Sequence, residues 1–551
     1  MGEIIKGFPS TMGDNYQLNL IEIIKYAATM FPKSEVAYRR LDGTMFRYNY
    51  LEAYKRICKM AHALKDLGVQ PGDRVGVMDF NSHRFFELYF AISGIGAVLL
   101  QLNPRISKDD RIYVINHSGT KFIFANELLI PLIEEISDSI PNVEKFVVIS
   151  ETDKNKETSL SPVFNYEKLL EGREEKFDWP MIDESSAYSG AYTSGTTGRP
   201  KGIYYSHRAI CLHTMIISLL SELTPNDAML QIVPMFHAQG WGAFFGPPMV
   251  GAKLVFPGRY TAENPGPLVE LLVNEKITIT NGAPAIFLPL LHYIEKMDPK
   301  PKFNNLRMLS GATEPPLALM KKYAELGAKV IHAYGASETS PIVTLNKPKP
   351  YLDLDEEEMW ELKKKQGYFV PFVNWKLKDP LGGDVPTDGK TVGELYLKGP
   401  WITCKYYNDE RTKEAISEDG YWKSGDAATV DENGYLKITD RFKDLIKSGG
   451  EWISSIDLEN AIMAHPEVAE AAVVGIPHPK WEERPLAIVV LKDPSKDIKE
   501  KDILDFISPK FAKWQLPDRV LFVDEIPKTS VGKFSKKDIR KMYWDFYTKN
   551  A

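Results

Sequence analysis

The chain has 551 residues, 44% hydrophobic, 26% charged and 11% aromatic, which excludes a disordered, collagenous or low-complexity protein. Sixty-eight basic against 74 acidic side chains give a net charge of -6, so the basic excess of a nucleic-acid binder is missing and no nucleic-acid partner is expected. Cys58, Cys211 and Cys404 stand far apart in no CxxC or Cys/His cluster, which argues against a disulfide framework and a structural zinc site.

The opening stretch MGEIIKGFPSTMGDNYQL has no apolar core of signal-peptide type, and Lys6 stands where a myristoylation site needs Ser or Thr. A cytoplasmic protein is expected. Residues 74–78 read as a strand. Residues 85–100 read as a buried helix, whose apolar run from Leu88 is too short to cross a bilayer, so no transmembrane segment is expected. Strands follow at 122–125 and 146–149 with a helix at 128–136 between them. The alternation continues through 229–233, 253–256, 277–280, 308–309 and 330–332. It predicts an α/β fold, a large N-terminal domain of parallel-rich sheets covered by helices, with ligands beyond the carboxyl ends of the strands.

Residues 353–365 place three Glu ahead of three Lys and predict a solvated helix held by i,i+4 pairs. Near residue 440 the composition changes. Strand-like runs at 469–476 and 487–492 and a lysine-rich tail predict a small α+β domain. The boundary is set between residues 1–440 and 441–551, flanked by the turn-prone Asn433-Gly434 and Ser448-Gly449-Gly450.

The richest local chemistry lies in Tyr192-Thr193-Ser194-Gly195-Thr196-Thr197-Gly198-Arg199-Pro200-Lys201-Gly202. Glycines let backbone approach an anion, hydroxyls and amides donate to it, and Arg and Lys supply charge, so a triphosphate suits this loop. It is not a Walker A loop, because the Gly-Lys-Ser/Thr ending is missing. A Gly/Ser/Thr linker would have a similar composition.

At this loop the sequence resembles the AMP-forming acyl-CoA synthetases of the adenylate-forming superfamily, near the medium- and long-chain fatty-acyl branch. Further motifs follow in the order of that family: Pro234-Met235-Phe236-His237-Ala238-Gln239-Gly240-Trp241, Ser310-Gly311-Ala312-Thr313, and Tyr334-Gly335-Ala336-Ser337-Glu338-Thr339-Ser340. Then come Gly393-Glu394-Leu395, Trp422-Lys423-Ser424-Gly425-Asp426, the stretch from Asp440-Arg441-Phe442-Lys443 to Gly449-Gly450-Glu451-Trp452, and Pro527 to Lys533.

The resemblance implies a two-step ligase using ATP, magnesium and CoA. A carboxylate attacks the α-phosphorus of ATP to give acyl-adenylate and pyrophosphate; the CoA thiol then displaces AMP. It implies that Glu338 binds magnesium and that Thr339 contacts the α-phosphate. Tyr334, Gly335, Gly311, Ala312 and Thr313 are implied around the rest of the nucleotide, and Asp426 and Arg441 at its ribose. An ionised Asp only accepts and ribose hydroxyls donate, so that match makes chemical sense, although Asp also favours turns.

Lys533 matches the lysine that meets both carboxylate and α-phosphate, whereas its neighbours Lys528, Lys536 and Lys537 read as ordinary surface charge. Lys443 matches a hinge about which the small domain turns after adenylation. Lys447, Gly449, Gly450 and Trp452 match the segment that then admits CoA. His237, Gly240, Trp241 and Ala336 match the lining of the carboxylate and acyl site, where core packing would be the default reading of a lone His or Trp. Gly240, Gly242 and Ala243 suggest space for an apolar chain, which Phe244 and Phe245 could shorten. A short or substituted acid, and a non-catalytic binding relative, are the alternatives to a fatty acid. The resemblance also leaves a homodimer open.

Overall fold

A computed structural model of the chain describes residues 5–13, 15–152, 157–193, 199–442, 444–449, 451–527 and 534–549. They form two compact units. The first comprises the described residues within Met1–Thr193, Arg199–Asn374 and Lys398–Trp422; the second comprises those within Trp375–Leu397 and Lys423–Ala551.

The first unit holds two helix-covered sheets. One runs in the order Val163–Asn165, Lys145–Ile149, Thr120–Asn126, Arg74–Met78, Val98–Gln101, Ala187–Thr193, Lys201–Ser206, parallel except for its last pair. In the other, Ala328–Gly335, Leu306–Ser310, Ile279–Gly282, Ala228–Leu230, Lys253–Phe256 and Glu35–Arg39 lie parallel in that order. Their strands are apolar on both faces because helices cover both sides. Ala37, Leu230, Val255, Phe287, Met308 and Val330 share one core; Met78, Leu100, Ile123 and Val148 share another.

The α/β expectation holds, with one local correction. The helix predicted over 85–100 spans His83–Gly94, and Val98–Gln101 is a strand inside the sheet. Ser82 caps the helix by accepting from the Phe85 N–H. It ends at Gly94-Ile95-Gly96, where Gly96 takes φ +83, a left-handed value that no continuing helix tolerates. The acidic-then-basic stretch is the helix Glu356–Lys364, started by a capping box between Asp355 and Glu358 and carrying a Glu361–Lys364 ion pair.

The second unit contains residues 393–397 of the strand Gly393–Lys398, residues 423–430 of Trp422–Val430, and the strand Tyr435–Arg441. It also contains an antiparallel sheet built around Val468–His478 and Glu482–Leu491, with Arg519–Phe522 added in parallel. The helix Ser455–Met463 buries Leu458 and Ile462 against Val473, Val489 and Ile503, and Ile539 of Lys536–Tyr543 packs with Val474 and Ile488. Among the described residues no helix is long and apolar enough to cross a membrane.

Candidate active site

In the first unit, Leu306–Ser310 and Ala328–Gly335 are parallel with Ser310 opposite His332, so the loops 311–313 and 336–341 leave the same sheet edge. This is where an α/β sheet gathers ligand-binding groups. Gly311 is buried, while Ala312, at φ +73, and Thr313 are exposed. Gly335 cannot carry a side chain, because a Cβ there would lie 1.7 Å from the Pro341 carbonyl oxygen. Tyr334 is half-buried beside it.

Glu338 sits on the single turn Ser337–Thr339, 8% exposed. Its backbone carbonyl accepts from the Thr403 N–H (2.7 Å), and the Tyr205 hydroxyl donates to the neighbouring Ser337 carbonyl (3.0 Å). The Tyr406 hydroxyl donates to Glu338 Oε1 (2.9 Å), and Lys201 Nζ lies 3.9 Å from the same oxygen. Burial first, then the charge of Glu338, drives the Tyr406 phenol far above its usual range, so it keeps its proton. Thr339 is fully buried; its hydroxyl accepts from the Ala336 N–H and donates to the Pro341 carbonyl, holding the turn closed.

Lys201 opens the strand Lys201–Ser206, opposite Thr193 at the end of Ala187–Thr193. The Thr193 hydroxyl is buried and has no hydrogen-bond partner among the described residues. An orphaned donor beside an ammonium suits an anionic guest. Ser194, Gly195, Thr196, Thr197 and Gly198 lie outside the described residues. Among the described residues no group of three or more His, Cys, Asp or Glu could hold a metal ion alone. A lone Glu338 still fits magnesium, which takes one or two carboxylates and completes its octahedron with phosphate oxygens and water.

The segment bearing His237, Gly240 and Trp241 is unusual. Ala238 to Gly242 hold φ values from 44° to 64°, a left-handed turn in which three residues are not glycine. Such conformations cost roughly 1–2 kcal/mol per residue. Side-chain amides stabilise it: Gln231 Nε2 (3.0 Å) and Asn281 Nδ2 (3.3 Å) both donate to the Gly240 carbonyl. Trp241 is half-buried, and a Cβ on Gly311 would come within 2.9 Å of its Cη2, so the two share one wall. His237 is exposed at the start of the turn, and Ala336 half-buried.

In the second unit, strand register sets Asp426 opposite Arg441, and Asp426 Oδ1 lies 2.8 Å from Arg441 Nη1. The Asp426 N–H donates to Ser424 Oγ, whose hydroxyl donates to the Leu395 carbonyl. Lys447 and Trp452 face each other across the Ile446–Ser448 and Glu451–Ile453 hairpin, with Gly449, at φ +62, in its turn. Lys447 Nζ pairs with Glu482 (3.1 Å), and the Gly449 N–H donates to the Trp481 carbonyl. Gly450, Lys443 (expected as a hinge) and Lys533 lie outside the described residues.

One sequence expectation fails here. Lys536 is not free surface charge: its side chain is only 14% exposed, with Nζ 2.9 Å from Glu459 Oε1, 4.0 Å from Asp440 Oδ1 and bonded to Ser455 Oγ. Glu459 and Asp440, both pushed up by burial, need that ammonium close by. Sequence reasoning also passed over Tyr406, which lies in a loop with no periodic or motif-like signal.

The family profile "AMP-binding enzyme" matches residues 24–407, and "AMP-binding enzyme C-terminal domain" matches 457–533. The chain is 44% identical to the long-chain-fatty-acid–CoA ligase of Thermus thermophilus over 99% of each chain. It is 38% identical to the 3-methylmercaptopropionyl-CoA ligase of Ruegeria lacuscaerulensis over 96% of this chain and 98% of that one. It also resembles the crystal structure of ATP-bound MatB from Rhodopseudomonas palustris, with TM-score 0.80 and 25% identity, over 96% of this chain and all of the other.

Proposed function

The chain belongs to the AMP-binding enzyme family and is an AMP-forming acid–CoA ligase, and on that premise we propose that its acid is a medium- or long-chain fatty acid. The near-complete match to the Thermus thermophilus ligase supports that choice of acid. One observation carries the mechanistic reading: a buried carboxylate, Glu338, and an ammonium, Lys201, meet at the carboxyl end of a parallel strand beside a Thr193 hydroxyl that has no partner among the described residues.

The first step joins two anions, so charge must be offset and the reactants aligned. Thr193, Lys201 and residues 194–198 are proposed to take the phosphates of ATP, and Thr339 to stand by the α-phosphate. Residues 311–313 and 334–335 take the base, and Asp426 with Arg441 the ribose. Glu338 would hold a magnesium ion, whose chemistry is charge neutralisation at the phosphate oxygens. His237, Gly240, Trp241 and Ala336 line the carboxylate and acyl chain. The acid's oxygen forms a bond to the α-phosphorus as the bond to pyrophosphate breaks, and Lys533 holds both anions.

In the second step the CoA thiol gives up its proton, its sulfur bonds to the acyl carbon, and AMP leaves. Lys447, Gly449, Gly450 and Trp452 are proposed to accompany CoA, reached by a turn about Lys443 of the domain beginning near residue 441. A cytoplasmic location accords with free thiols at Cys58, Cys211 and Cys404.

A panel of acids from two to eighteen carbons, scored for AMP and acyl-CoA, tests the reading. AMP formation peaking at medium or long chains is expected, and ADP in place of AMP would overturn it. The Ruegeria lacuscaerulensis relative favours a second reading, a short thioether acid, so the panel includes one. Within the scheme, Lys533→Ala should cost about 3–4 kcal/mol in adenylation yet still convert supplied acyl-adenylate and CoA to thioester. Equal loss of both steps removes the role given to Lys533.

A further inference from the structure

Four side chains meet at one oxygen. Tyr406 Oη lies 2.9 Å from Glu338 Oε1, 3.0 Å from Lys201 Nζ and 3.1 Å from Trp422 Nε1. A phenol has one proton and two acceptor sites. The indole and the ammonium only donate, and the carboxylate only accepts, so the direction of all three bonds is fixed and the oxygen is saturated. The ammonium also lies 4.2 Å from the centre of the Tyr406 ring, within cation–π range.

This arrangement has a consequence for Glu338. An ammonium and a carboxylate at a secluded site close to about 2.7–2.9 Å when nothing intervenes. Here they stand 3.9 Å apart as a long ion pair bridged by the phenol, which accepts from the ammonium at 3.0 Å and donates to the carboxylate at 2.9 Å. The phenol is itself tied down: the Tyr406 N–H donates to Thr412 Oγ1 (3.0 Å), and the Tyr407 N–H to the Gly202 carbonyl (2.9 Å), next to Lys201. The Thr403 N–H holds the Glu338 backbone in the same segment.

We propose that Tyr406 is a positioning residue that holds Lys201 off direct contact with Glu338, so that the carboxylate keeps an oxygen for a divalent cation. The proposal rests on reading Glu338 as the magnesium ligand. Without the hydroxyl, Lys201 falls onto Glu338 and competes with the metal for its oxygens.

The test is Mn2+ binding to the full chain, followed by electron paramagnetic resonance in the presence of α,β-methylene ATP, with melting temperature measured alongside. Tyr406→Phe should weaken Mn2+ binding roughly 10–100-fold, the usual cost of losing a group that orients a metal ligand. In a Lys201→Gln background the same change should cost at least severalfold less, because the competing cation is gone. Unchanged affinity in Tyr406→Phe, or an equal loss in both backgrounds, overturns the proposal. Should Tyr406→Phe not fold, Trp422→Phe, which frees the phenol to turn away, should weaken Mn2+ severalfold, and unchanged affinity there overturns the proposal as well. Glu338→Gln separates the two levels: if it binds Mn2+ as tightly as the unaltered chain, the metal-ligand reading itself falls.

Discussion

Asp426 and Arg441 form an ion pair at 2.8 Å because two antiparallel strands set them opposite each other, with the carboxylate buried and the guanidinium half exposed. A pair with one partner in water contributes little to stability, so the fold alone gives small reason for it. A buried acceptor beside an exposed cation suits a sugar whose hydroxyls must donate. Asp426→Ala should therefore raise KM for ATP about 10–100-fold, the worth of one or two hydrogen bonds to a charged group, and shift the melting temperature little. Pyrophosphate release against ATP concentration checks this; an unchanged KM would remove the ribose role.

Gly311 and Trp241 share a wall that has no room for a methyl group. A Cβ on Gly311 would meet Trp241 Cη2 at 2.9 Å and the Ala333 carbonyl at 3.1 Å; the backbone oxygen is the less free to yield, so the indole must move. If Trp241 bounds the acyl chain, Gly311→Ala should change the ratio of kcat/KM between eight- and sixteen-carbon acids. Each buried methylene carries about 0.8 kcal/mol, so gain or loss of one position moves the ratio about fourfold. A uniform loss across all lengths would detach Trp241 from chain selection.

Three buried histidines predict how the chain responds to acid. Burial pushes His213 down to about 3, and His207 and His332 to about 4. The geometry agrees for two of them: His213 Nε2 accepts from the Ile342 N–H and His207 Nδ1 from the Leu20 N–H, bonds that a protonated ring could not make. Unfolded imidazoles take up protons below about 6.5 while the folded ones stay neutral, so stability is complete above that pH and falls as pH drops towards 4. At pH 5 each ring should have cost about 2 kcal/mol. Urea unfolding at pH 7.5 and 5.0 measures it, and equal midpoints would rule out these neutral rings as a source of acid sensitivity.

Legibility in the sequence followed the range of the interactions. Arg74–Met78 and Lys253–Phe256 were readable because short runs buried on both faces lie between turn residues. The helix ahead of Val98–Gln101 was overrun, since periodicity does not separate a buried helix from a buried strand, and the break rests on the backbone of Gly96. Glu338 and Lys201 stand in local motifs, so the sequence alone nominates them. Tyr406 is not nominated, because its partners Glu338 and Lys201 are 68 and 205 residues away. Lys536 looked like its lysine neighbours, and it is distinguished by Glu459, Asp440 and Ser455, all far from it in the sequence.

The proposed hinge at Lys443 is the place where the two half-reactions should come apart. Near it, Asp440 accepts from the Ser455 N–H and Asp444 pairs with Arg540, so few residues around Lys443 are free to change their dihedrals. Large dihedral changes in such a setting fall on few residues. Proline fixes φ near -65° and removes an N–H, so Lys443→Pro restricts the backbone there directly. Carboxylate-dependent pyrophosphate exchange should stay within about twofold of the unaltered enzyme, while acyl-CoA formation from supplied acyl-adenylate slows about tenfold or more, a barrier increase of about 1.4 kcal/mol. Lys443→Ala, which keeps the backbone free, should slow it far less. An unchanged thioester rate in the proline variant would mean that the second step needs no turn at this residue.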